Sequence, residues 1–175
     1  MLRGVEPMLR REFADVCAEV GPDAPTLCVG WTTRDLVIHM VLIEGRWDSW
    51  FGVMLGNRSR IVRDYYDRLV DRERSREWPA LVERIRTGPR FTPLRSQRVR
   101  DRMMPREYLI HTEDVRRANG IEAAVSAAAQ DVAWTRLPGL AKRFLLTAAP
   151  YGLQLRRPDG STMVLASGTP LATLE

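Results

Sequence analysis

The sequence predicts a mainly α fold with a small C-terminal β-hairpin, and three observations carry that prediction. Apolar residues recur at helical spacing through most of the first 150 positions. Glycine–proline and glycine–asparagine pairs cut this pattern into helix-length pieces. After Pro150 the period changes to alternation. The expected organisation is a helical bundle over residues 1–150, with a short hairpin extension at 151–175 packed on it. A chain of 175 residues is the usual size of one domain, and 45% hydrophobic content suffices for a core.

The first helix is expected from Met8 to Val20, where Phe13, Val16, Cys17 and Val20 repeat at helical spacing. Gly21-Pro22-Asp23-Ala24-Pro25 breaks it. Thr32 is a suitable N-cap for a second helix, with Asp35 three residues on as a short-armed capping-box partner. From Leu36 to Phe51 apolar residues cover most of that helix, so it should be central. Its polar interruptions are His39, Glu44, Arg46, Asp48 and Ser49. A polar third helix, about Ser59 to Arg72, is expected to face inward with Ile61, Tyr65 or Tyr66, and Leu69. Trp78-Pro79 opens a fourth, with Leu81, Val82 and Ile85 as its stripe, and Gly88-Pro89 closes it.

The fifth helix is expected from Arg106 to Ala118, or as one longer helix from near Ser96 kinked at Pro105. A sixth helical region, Ala124 to Ala149, is interrupted at Pro138-Gly139. Leu153, Leu155 and Arg157 then lead into Pro158-Asp159-Gly160, and Met163 and Leu165 lead out, which is a hairpin with Asp-Gly turn chemistry. A two-stranded hairpin is marginal alone, so it must pack on helices or pair with something else.

Charge and composition exclude several classes of partner. The net charge is +5, but Lys142 is the one lysine, a bias that fits a GC-rich genome better than a binding surface. Between Arg58 and Arg106 the arginines are interleaved with Asp64, Asp67, Asp71, Glu73, Glu77 and Glu83, the pattern of a solvated helix face. No nucleic-acid partner is expected. No stretch approaches the ~18 apolar residues of a membrane span, and MLRGVEPMLRREF lacks an apolar signal core, so the expected compartment is the cytoplasm. There Cys17 and Cys28 should be free thiols. Cys17 falls on an apolar helix face, and Cys28, in the Thr26–Trp31 segment, reads as a buried structural thiol rather than a ligand.

The chain has two histidines, and both sit where a metal ligand could sit. Glu107 and His111 are four residues apart on one helix, so their side chains project from the same face. His39 lies on the most apolar helix, where an imidazole needs a partner. Two imidazoles and one carboxylate, with one position left open, form the catalytic rather than the structural type of site. The same set suits zinc, non-haem iron and other divalent metals such as nickel.

Resemblance points to the same residues. Gly30-Trp31-Thr32-Thr33-Arg34-Asp35-Leu36-Val37-Ile38-His39-Met40 resembles the first-ligand motif of the DinB-like superfamily, W-S/T-x-x-D-L/V-x-x-H. That motif opens the second helix of a four-helix bundle, and its His binds the metal. Glu107 to Asn119, with its His-x-Glu-Asp-Val-Arg-Arg-Ala core, resembles the second motif of the actinobacterial branch, which includes mycothiol-dependent maleylpyruvate isomerase. The resemblance implies His39, Glu107 and His111 as ligands of a divalent metal, zinc foremost. It also implies mycothiol as co-substrate and an electrophilic small molecule as its target. A homodimer is a further expectation, because such bundles commonly pair.

Around these ligands, Asp35 is a candidate acceptor for the His39 imidazole, in competition with its capping role. Asp114, Arg116 and Arg117 are candidates to orient His111 or bind an anionic substrate, or else form a solvated helix end. Two departures from the relatives stand out: Pro105 two residues before Glu107, and Val29 where an acid is frequent.

Overall fold

Helix boundaries fall where capping chemistry places them. The computed structural model describes residues 4–46, 60–89, 97–123, 125–140, 151–157, 159–169 and 171–174. Among these, six helices precede three strands. The helices are α1 (Val5–Val20), α2 (Thr33–Gly45), α3 (Arg60–Arg74), α4 (Trp78–Thr87), α5 (Gln97–Ala118) and α6 (Ala127–Leu140). The strands are β1 (Gly152–Arg156), β2 (Thr162–Ala166) and β3 (Leu171–Leu174). The fold is mainly α with a small C-terminal sheet, and no described helix is long and apolar enough to cross a membrane. The chain divides into two compact units, Met1–Ala129 and Gln130–Glu175.

In the first unit, α1 packs on α5 and α4, while α2 packs on α4, α3 and α5. Their shared core contains Leu9, Phe13, Val16 and Cys17 from α1, and Leu36, Val37, Met40 and Val41 from α2. Leu81, Val82 and Ile85 of α4 complete it with Met104, Tyr108 and Val115 of α5. Each fully buried Leu or Phe contributes roughly 1.5–3 kcal/mol, so this apolar contact is the main force holding the bundle.

The core also encloses a charged network. The Arg10 guanidinium donates to Glu6 and, at 2.5 Å, to Glu44, while the Tyr108 hydroxyl donates to the other Glu44 oxygen at 2.7 Å. All four side chains are buried, so α1, α2 and α5 are tied together by charge-assisted bonds in a low dielectric. Burial works to lower the Arg10 pKa, but Glu44, Tyr108 and Glu6 outweigh it and hold the guanidinium above its ordinary value.

Several boundaries differ from the sequence expectation. α2 ends at Gly45, where Arg46 is extended (φ −138°, ψ 114°), and the rest of its expected course, residues 47–51, lies outside the described residues. α5 takes the longer of its two expected forms, one helix from Gln97 with Pro105 inside it. On α3, Tyr66 and Leu69 face inward as expected, but Ile61 points to solvent, and Val62 and the buried Glu73 complete the inner face. Glu73 accepts from Arg76 at 2.7 Å and from Arg84 of α4, so an ion pair holds that end of α3. α6 runs through Pro138, and its expected extension to Ala149 lies outside the described residues.

In the second unit the expected hairpin gains a third strand. β1 pairs antiparallel with β2 and parallel with β3, in the order β2-β1-β3. The turn closes with Arg157 N–H donating to the Ser161 carbonyl at 2.9 Å, and Gly160 takes the left-handed conformation at φ +85°. Arg157 also pairs with Asp131 at 3.0 Å and lies 5.5 Å from the Trp134 ring, which fixes the turn against α6.

Candidate metal centre

The site grows from the loop that joins α1 to α2. Thr32 caps α2 with a full capping box, its hydroxyl accepting from Asp35 N–H and Asp35 Oδ2 accepting from Thr32 N–H at 3.0 Å. The other Asp35 oxygen accepts from Arg74 at 2.5 Å. Both carboxylate oxygens are therefore engaged in capping and pairing on the outer side of the helix start.

The loop itself hangs on the end of α5. Leu27 N–H donates to the Asp114 carbonyl at 3.3 Å, and Asn119 Nδ2 donates to the Pro25 carbonyl at 3.0 Å. Gly30, at φ +79°, lets the chain reverse so that Trp31 N–H reaches the Cys28 carbonyl at 2.9 Å. These bonds set Cys28 and Trp31 beside the turn of α5 that carries His111 and Asp114.

α2 and α5 bring the two histidines together. Their rings stand edge to face with centroids 5.6 Å apart, and Trp31 lies edge-on to His39 at 5.3 Å. Glu107 Oε2 is 3.9 Å from His111 Nε2. The second Glu107 oxygen accepts from Arg106 Nε at 2.9 Å. On the opposite edge of the ring, His111 Nδ1 is 2.9 Å from Asp114 Oδ2. That same oxygen accepts from the Cys28 thiol at 3.4 Å. Arg116 pairs with Glu12 at 2.8 Å and with Glu113, and Arg117 pairs with Glu113 at 3.1 Å.

Burial favours the neutral forms of His39 and Cys28. Burial pushes the His39 pKa down to about 4, with His111 adding to the effect and Glu107 opposing it. Its Nδ1 is buried and lacks a hydrogen-bond partner among the described residues. A neutral imidazole with an unpartnered nitrogen beside a second imidazole and a carboxylate fits a divalent cation. The Cys28 thiol is pushed up to about 11, first by burial and then by the Asp114 carboxylate, so without an ion it carries its proton. Cys17, fully buried, is raised further still and is inert packing.

His39, His111 and Glu107 thus share one neighbourhood, while Asp35, Arg116 and Arg117 are committed to other partners. Among the described residues, one group of His, Cys, Asp and Glu side chains brings three ligand atoms within 4.8 Å of one another, namely Cys28, His111 and Asp114. These residues could hold a metal ion; His39 and Glu107 stand outside the group. Sequence reading missed the link from Cys28 to Asp114, which spans 86 positions. The available signal was weak: a thiol in a loop bounded by Pro25 and Gly30, next to the helix carrying His39.

Residues 8–90 match the family model of the mycothiol maleylpyruvate isomerase N-terminal domain. The match supports the superfamily resemblance carried by the two motifs. The segment matching this isomerase domain includes Cys28, Trp31 and His39, and it ends before Glu107, His111 and Asp114. Comparison with curated proteins and with solved structures gives no match.

Proposed function

We propose that the chain binds a divalent metal through His39, Glu107 and His111 and uses it to activate a low-molecular-weight thiol, mycothiol in the family that residues 8–90 match. The thiol sulfur would attack an electrophilic small molecule, in a group transfer or a cis–trans isomerisation. The reading is supported above all by the edge-to-face His39–His111 pair at 5.6 Å, with the His39 Nδ1 left without a partner among the described residues. Zinc is the first expectation, with nickel and iron as alternatives for the same ligands. When bound, the ion would supply Lewis acidity, lowering the pKa of a thiol or water and holding an oxyanion.

The chain's own residues do the positioning. Asp114 accepts the His111 Nδ1 proton, which directs the Nε2 lone pair toward Glu107 and fixes the ring. Trp31 packs against the His39 ring and fixes its orientation. Arg106 holds one Glu107 oxygen, leaving the other turned to His111.

A second reading, a metal-stabilised interaction module without turnover, is favoured by the Cys28–Asp114 bond that ties the α1–α2 loop to α5. Metal content by inductively coupled plasma mass spectrometry on tag-free protein tests both, beside Glu107→Ala and His111→Ala. Near-stoichiometric metal, lost in His111→Ala and bound more weakly in Glu107→Ala, is the expected result. Absence of metal after reconstitution would sink both readings. A loaded protein that fails to bind mycothiol by calorimetry would leave the module.

A further inference from the structure

His111 faces two ways. Its Nε2 looks toward Glu107 Oε2 at 3.9 Å, and its Nδ1 toward Asp114 Oδ2 at 2.9 Å. A neutral imidazole ligates through one nitrogen while the other keeps its proton and gives it to an acceptor. The Nδ1–H tautomer has Asp114 within hydrogen-bond distance, and the Nε2–H tautomer has the Glu107 carboxylate facing it at 3.9 Å. Ligation through Nε2 leaves Nδ1–H on Asp114, and ligation through Nδ1 leaves Nε2–H turned to Glu107. The ring can therefore serve a cation on either side.

We propose that Cys28, His111 Nδ1 and Asp114 form a second cation site, alternative to the one at His39 and Glu107, that takes thiophilic divalent ions of the zinc, cadmium and cobalt class. Three kinds of ligand atom meet there within 4.8 Å of one another. Bond lengths of ~2.0 Å to nitrogen and oxygen and ~2.3 Å to sulfur set tetrahedral ligand atoms about 3.3–3.6 Å apart. The thiol-to-carboxylate distance of 3.4 Å already lies in that range, and the imidazole-to-carboxylate distance of 2.9 Å needs a small widening.

The backbone holds these ligands in place before any ion arrives. Leu27 N–H is bonded to the carbonyl of Asp114 itself, so the loop bearing the thiol and the turn bearing the carboxylate are joined at their backbones. Loading is balanced in protons: Cys28 releases its thiol proton to solvent, and the His111 proton moves from Nδ1 to Nε2. Since one imidazole is shared, occupation of one site withdraws a ligand from the other. A thiophilic ion bound at Cys28 would compete with occupation of the site at His39. This inference does not depend on the thiol-transfer reading, because it concerns the opposite edge of the ring.

The test is a cobalt(II) titration of the chelator-stripped full-length chain, read by absorption. His39→Ala, which removes the competing site, should show a near-ultraviolet sulfur-to-cobalt charge-transfer band from the first equivalent. Adding Cys28→Ser to that variant should abolish the band. No sulfur band in His39→Ala overturns the proposal, and so does a band that survives Cys28→Ser. On the unsubstituted chain, cadmium should slow alkylation of Cys28 by about tenfold or more, as located by peptide mass. Unchanged alkylation overturns the proposal without relying on any variant. The two sites are told apart in the wild type: a sulfur band that appears after the first equivalent reports an occupied His39 site, and one present at once reports its absence.

Discussion

At His39 a buried ring nitrogen has no hydrogen-bond partner among the described residues, and leaving such a group unsatisfied costs roughly 1–3 kcal/mol. His39→Leu should therefore make the metal-free protein about 1 kcal/mol more stable to urea, while removing the part of any zinc stabilisation that runs through His39. A metal-free variant less stable than wild type would mean that the imidazole already has a partner. The legibility of the site follows the same scale. His111 and Glu107 could be read together because i,i+4 spacing on a helix is a local rule. His39 could be read because a polar ring interrupts an apolar run. Cys28 could not, since its contact with Asp114 depends on how a loop folds back onto a distant helix, and no sequence period encodes that.

Among the elements, α4 ends at Gly88, whose φ of +69° suits glycine and whose Cβ position is taken by the Arg10 guanidinium. Gly88→Ala would strain the cap and displace Arg10 from its carboxylates. A loss of about 2–3 kcal/mol in urea unfolding is expected, against about 1 kcal/mol for the backbone effect alone. Caps and Gly-Pro stops were readable in advance because they act over four or five residues, as at Thr32 and Gly88. Pro105 was not decidable: a proline inside a helix costs about 3 kcal/mol, and burial of Met104 and Tyr108 on either side of it outweighs that. On α3, Tyr66 and Leu69 were readable as inward, but Ile61 was misplaced, because the deepest side chain is a charged one, Glu73, held by arginines rather than by apolar contact. β3 escaped notice because parallel pairing with β1 has no turn signature.

For the bundle as a whole, Arg10 is the joint between α1, α2 and α5. Arg10→Met would take the cation from Glu6 and Glu44 and should cost about 3–5 kcal/mol, a large share of a domain's stability. Circular dichroism during urea unfolding would show it, and a change below 1 kcal/mol would remove the network from any structural account. The network also sets a pH dependence. Burial raises the Glu44 pKa above its ordinary value, with Arg10 and the Tyr108 hydroxyl opposing and Glu6 adding. An acid raised in the folded state contributes stability at pH below its unfolded value, and that contribution is lost as pH rises through the folded value. Glu44→Gln should accordingly lose less stability than wild type as pH climbs from the ordinary carboxylate range toward neutrality. Parallel curves for the two proteins would contradict the assignment.

The backbone bond from Leu27 to Asp114 has a kinetic consequence. Its amide proton can exchange with deuterated solvent once the loop lifts from α5. Cys28, the next residue, travels with it. Exchange at Leu27 thus reports how readily that edge of His111 opens, and an ion held by Cys28 and Asp114 should slow it.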